Sequence, residues 1–150
     1  MNQNQEQISE IEVSYRPAIG RKSIITSSLD AYTEIKQFFD ADTLALQEQF
    51  VVMYLNRANR VIGIYPLSTG GITGTVADLR LIVSVALKTV ATSIIMAHNH
   101  PSGSLRPSRQ DEELTRKIKD ACTFLDIKLT DHLILSPENE YFSFADEGLI

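Results

Sequence analysis

The sequence predicts a single α/β domain built on one mixed sheet with flanking helices on both sides. Three observations carry this. Short continuous apolar runs rich in β-forming residues alternate with longer stretches whose apolar positions recur at three and four. The resulting order, β, α, β-hairpin, α, β, α, β-β, is that of a layered sheet with helices on its faces. At 150 residues the chain is long enough to bury one real core and is expected to form one domain.

Composition narrows the class. The chain is 43% hydrophobic and 22% charged, ordinary for a globular protein. No apolar run approaches the roughly 20 residues that span a bilayer. The start, MNQNQEQISE, has neither a basic opening nor an apolar core, so a cytoplasmic protein is expected. One cysteine, Cys122, excludes an internal disulfide framework and any cysteine-rich zinc site. A formal net charge of −5 argues against a surface made broadly for phosphate backbones.

The elements follow in order. Residues 1–10 are polar and read as an arm. Residues 11–15 (IEVSY) alternate and predict a half-buried edge strand ended by Pro17. Residues 1–26 thus form an arm with a first strand, and residues 27–150 the domain proper. Ser27 or Ser28 caps a helix reaching about Phe39, with Tyr32, Ile35 and Phe39 on one face. Residues 40–43 turn. Residues 50–55 (FVVMYL) suit a strand covered on both faces. Residues 61–67 return as a hairpin partner, weakened by Gly63 and closed by Pro66. The glycine-rich stretch 68–75 lacks a phosphate-loop ending and reads as a connection beside the site. Leu79, Ile82, Val83, Ala86, Leu87 and Val90 define a helix, with Thr75 and Asp78 in capping-box spacing before it. Residues 92–96 form a buried strand. Leu114, Ile118, Ala121, Cys122 and Leu125 stripe another helix, which makes Cys122 a core residue. Residues 127–135 and 141–144 close the sheet.

The chemistry concentrates in residues 97–111, AHNHPSGSLRPSRQD. His98 and His100 are two apart, so extended backbone sends both side chains to one face. Asp111 follows after Pro101, Ser102, Gly103 and Pro107, which supply a turn that returns a carboxylate to the imidazoles. Neutral imidazole and carboxylate suit one Zn2+ ion, and three protein ligands leave a fourth position for water. Asp111 has a competing reason to be there, since Ser108 and Asp111 stand in capping-box spacing at a helix start. Ser108 could also donate a hydrogen bond to an oxyanion. Glu48, ahead of the strand 50–55, is a candidate base or a solvated acid. His132, beside Asp131, is a further possible ligand, or a structural or supporting histidine. A zinc deaminase would need H-x-E and C-x-x-C, and a helical zinc protease H-E-x-x-H. Neither pattern is present.

These residues resemble a known family. Glu48, then His98-Asn99-His100-Pro101, seven residues from Pro101 to Pro107, Ser108, two residues and Asp111 are similar to the JAMM motif of JAB/MPN metallopeptidases. HNHPSG, the PS-x-x-D after it, EQFVVMYLN and DHLILS…YFSFADEG resemble the RadC branch, and the likeness covers residues 27–150. The resemblance implies a JAB/MPN fold, like that of cytidine deaminases in outline. It implies zinc on His98, His100 and Asp111, Glu48 as general acid/base, Ser108 as oxyanion helper, and Asn99, Asp131 and His132 in supporting places. It also implies hydrolysis of a peptide or isopeptide bond in a protein or peptide, with a ubiquitin-like conjugate as one candidate substrate. Members of the RadC branch usually carry an N-terminal helix-hairpin-helix region, which residues 1–26 do not provide. The alternative reading is a DNA-repair accessory that binds DNA or a repair partner. It rests on a local basic cluster, Arg106, Arg109, Arg116, Lys117 and Lys119, diluted by Glu112, Glu113 and Asp120.

Overall fold

A computed structural model describes residues 8–12, 14–20, 22–71 and 75–150. Five strands form one sheet in the order β2-β1-β3-β4-β5, with β1 Gln49–Leu55, β2 Val61–Thr69, β3 Ser93–Asn99, β4 Lys128–Leu135 and β5 Tyr141–Ser143. Only β3 and β4 are parallel; the other neighbours are antiparallel. The helices are α1 Ser28–Ile35, α2 Leu79–Lys88 and α3 Arg109–Phe124. The predicted mixed-sheet α/β architecture is the observed one.

Alternation along β1 and β3 divides the core into two layers. Val51, Met53, Ile95 and Ala97 pack with Ala31, Tyr32 and Ile35 of α1. Phe50, Val52, Tyr54, Ile94 and Met96 pack on the other face with Ile82 and Ala86 of α2 and Ile118 and Cys122 of α3. Both strands are buried along their whole length, as continuous apolar runs in a covered sheet should be. Cys122 is fully buried, as its place in the stripe requires.

Several boundaries differ from the sequence reading. No strand forms at residues 11–15, of which Val13 lies outside the described residues. A strand needs a ladder partner, and among the described residues 11–15 the contact with β2 is a 3.4 Å bond from the Tyr15 hydroxyl to the Ile62 carbonyl. Ile8 and Ile11 are consequently exposed. Ser27, not Ser28, caps α1, accepting from the Asp30 N–H at 3.1 Å. The helix tightens into a 3₁₀ turn over Lys36–Phe38, and Phe39 is extended. Pro66 does not close β2, which runs on to Thr69 through a register shift opposite Phe50 and Val51. An edge strand tolerates the missing N–H. Asp78 alone caps α2, and Val90 lies past its end at φ 57°, outside the stripe. β3 runs three residues beyond the predicted end and carries His98 and Asn99 within the sheet.

Candidate metal centre

His98 leaves the central strand on the α2–α3 face, at the carboxyl end of β3. Antiparallel pairing sets Phe50 opposite His98, and the Phe50 ring stacks on the imidazole at 5.8 Å. Glu48 stands just ahead of β1, near enough for its charge to act on His100. After His100 the chain reverses. Gly103 adopts φ +84°, a left-handed conformation that favours glycine at this turn. Ser108 then starts α3 with a capping box. Its hydroxyl accepts the Asp111 N–H at 3.0 Å, and the Asp111 carboxylate accepts the Ser108 N–H at 2.7 Å.

The cap does not divert Asp111 from the histidines. One carboxylate oxygen lies 3.2 Å from His98 Nε2 and the other 3.2 Å from His100 Nε2. The two Nε2 atoms are 3.0 Å apart. His98, His100 and Asp111 therefore form a cluster that could hold a metal ion.

The hydrogen bonds behind the cluster decide which nitrogens face it. The single hydroxyl proton of Thr115 goes to the Asp111 carbonyl at 2.6 Å, so this oxygen accepts from His132 Nδ1 at 2.7 Å. His132 Nε2 is then an acceptor and takes the proton of His98 Nδ1 at 2.8 Å. His98 is left with a bare Nε2 facing Asp111. His100 donates from Nδ1 to the Ser104 carbonyl at 2.7 Å, which bares its Nε2 as well. Two nitrogen lone pairs and two carboxylate oxygens converge with no proton assigned between them. This donor set fits a cation such as zinc.

With a proton rather than a cation at Nε2, each histidine instead donates to Asp111, and the charges respond to that state. Hydrogen bonding to Asp111 raises the pKa of His100 against the opposing effect of burial, and the Glu48 charge adds to the rise. Burial alone would raise Asp111, yet hydrogen bonds from His100 and His98 hold it well below the usual carboxylate range. His132 is fully buried, and desolvation together with His98 holds its pKa well below that of a free imidazole, so it is neutral. Phe144 stacks on it at 4.7 Å.

A family model for the RadC-like JAB domain matches residues 25–149. The chain belongs to the RadC-like JAB domain family. The domain is 46% identical over 130 residues to a UPF0758 protein of Porphyromonas gingivalis, covering 87% of this chain and 56% of the relative. A UPF0758 protein of Flavobacterium johnsoniae is 46% identical over 125 residues, 83% of this chain and 53% of the relative. One of Streptococcus gordonii is 45% identical over 101 residues, covering 67% and 44%. The chain thus spans about half the length of the curated relatives it matches. Among the described residues, no helix is long and apolar enough to cross a membrane.

Within this RadC-like domain the remaining residues singled out in the sequence take separate places. Glu48 is half-buried. Its carboxylate accepts the Thr75 N–H at 3.1 Å and its carbonyl the Gly70 N–H at 2.8 Å. The two ends of the glycine-rich stretch therefore hold the acid, and Thr75 is not a helix cap. Asn99 points to the opposite face from His98. Its side chain accepts the Gln49 N–H at 2.7 Å and donates to the Leu44 and Gln47 carbonyls at 2.8 and 3.0 Å, fastening the segment that leads into Glu48. Asp131 stands apart from the cluster. It accepts from the N–H groups of His132 and Ala145 and the hydroxyl of Ser143. The sequence reading passed over Thr115. The signal was a polar residue on the buried stripe of α3, four positions after Asp111.

Proposed function

We propose that this domain is a zinc-dependent hydrolase of amide bonds, acting on a peptide or isopeptide linkage in a protein or peptide substrate. The observation that carries the reading is the convergence of bare His98 Nε2, bare His100 Nε2 and the Asp111 carboxylate beside Glu48. His98, His100 and Asp111 would hold the ion. When bound, zinc would supply Lewis acidity to the scissile carbonyl and to the attacking water.

The chain's own residues do the rest. Glu48, whose charge acts on His100, takes the proton of the attacking water and returns it to the departing amine, so that the amine leaves neutral. Its backbone anchors at Gly70 and Thr75 keep the carboxylate from swinging into solvent. The Ser108 oxygen is engaged as an acceptor by its capping bond, which leaves its own proton free to donate to the carbonyl oxygen as charge builds there. Hydrolysis of a ubiquitin-like conjugate is one form of this chemistry. The DNA accessory reading is weaker, because Arg109 of the basic cluster is already paired with Glu113 at 2.9 Å.

The test is Glu48→Gln, assayed against the zinc-loaded wild type on a library of peptides and ubiquitin-like conjugates. The variant is expected to keep its zinc and lose turnover by about 10²–10⁴-fold. Equal turnover in the two proteins would remove Glu48 from the reaction, and zinc-free wild-type protein after loading would remove the hydrolase reading.

A further inference from the structure

A cleft of about 600 Å³ opens at the end of the sheet away from the metal cluster, where β3 and β4 begin and α1 starts. Its walls hold an unusual atom. Ser93 is 6% exposed, and its hydroxyl is the one buried side-chain polar atom without a hydrogen-bond partner among the described residues. Buried hydroxyls are normally paired, so a bare one on a cleft wall marks a contact to be made. Ser93 shares the α1 face with Ile95 and Ala97, two and four residues further along β3.

The charges around it are unevenly committed. Asp131 is saturated by three donors, and Asp146 accepts from the Ser28 hydroxyl. Arg57 and Lys128 also line the cleft and form no ion pair among the described residues. The first turn of α1 adds amide groups with no intrahelical acceptor, next to the Ser27 cap. The uncommitted groups are two cations, the Ser28 and Leu29 N–H groups and a hydroxyl, while Asp30 of the same turn is held by the Thr26 N–H and hydroxyl. Ile25, Leu55 and Ile95 supply an apolar wall.

We propose that this cleft is a second binding site, separate from the metal centre, for a small organic anion carrying a phosphate or carboxylate group. The anionic group meets Arg57, Lys128 and the start of α1. The carbon body lies on Ile25, Leu55 and Ile95, and a ligand oxygen satisfies Ser93. The cleft has the size of common small-molecule sites. Asp131 and Asp146 keep their acid groups turned to their own donors, so selectivity comes from the body of the ligand as well as its charge.

The experiment titrates the full chain, ¹⁵N-labelled, stripped of metal and then dialysed free of chelator, so that neither metal nor chelator competes for the site. The probes are inorganic phosphate, adenosine monophosphate and benzoate. Saturable amide shifts are expected at residues 26–29, 93 and 128, with His98 and His100 unmoved. Either organic probe should bind more tightly than inorganic phosphate, and the better one identifies the anionic group. Arg57→Ala with Lys128→Ala, both at exposed positions, should weaken binding by about tenfold or more. Ser93→Ala should weaken the organic probe by a smaller factor. The proposal is overturned by any of four results. These are no saturation with any probe below about 10 mM, shifts centred on residues 98–111, affinity unchanged in the Arg57/Lys128 variant, or affinity unchanged in Ser93→Ala.

Discussion

One hydroxyl proton fixes the state of the centre. Thr115 gives its proton to the helix backbone, which forces His132 to donate to it and to accept from His98. Thr115→Val keeps the shape and removes the acceptor, leaving a buried imidazole N–H without a partner. Zinc affinity is expected to fall by about 10–100-fold, the range for groups that orient a ligand histidine. Competition with a chromophoric chelator measures it. Unchanged affinity would show that Thr115 does not set the tautomer. The three proposed ligands were legible in the sequence because they lie within one short string. Thr115 was not, since a threonine on an apolar helix stripe reads as a tolerated polar residue until the partner across the sheet is known.

Among the elements, β3 is latched by one side chain to the segment before β1. Adjacent residues on a strand face opposite ways, so His98 serves the metal cluster while Asn99 secures residues 44–49 on the other side. Gln49 extends the link, accepting the Asp40 N–H at 2.8 Å and donating to Asp40 and Thr43. Asn99→Ala would strand the Gln49 N–H and two carbonyls. It is expected to cost about 3 kcal/mol of stability, measurable as a shifted urea midpoint, and to reduce turnover with zinc still bound. Wild-type stability in this variant would mean that the latch contributes nothing. The buried strands and the striped helices could be read from their periodicity, which reports burial directly. The strand expected at residues 11–15 could not be judged that way, because alternation describes a segment fit for a sheet edge without showing that an edge receives it. Pro66 misled for the related reason that its cost depends on whether its strand has a neighbour on both sides.

At the scale of the whole molecule, the neutral, buried His132 ties folding to pH. Its pKa is depressed in the folded state, so below about pH 6.5 the unfolded chain binds a proton that the folded one refuses. This contribution to stability is present above that pH. It is lost as pH falls toward the folded-state value, at no more than about 1.4 kcal/mol per pH unit. His100, with its raised pKa, acts in the opposite sense over this window, so the His132 share is read as the difference between wild type and His132→Gln in urea denaturation of chelator-treated protein between about pH 7.5 and pH 5.5. A slope identical in the two proteins would place the titration elsewhere.

The outermost strand, β2, has a further consequence for how copies of this domain meet one another. Beyond its contacts with Ser23 and Tyr15, the nine-residue strand has no ladder partner on its outer side among the described residues, and such an edge is a template for a foreign strand, the usual beginning of edge-to-edge aggregation. Proline at position 66 withholds an N–H that an incoming chain would need. Gly63 weakens the strand's hold on extended geometry, and the irregular step near Leu67 twists the line of remaining donors and acceptors. Residues that made the hairpin look poorly formed in the sequence thus act as gatekeepers, keeping an open-edged sheet from recruiting its own kind.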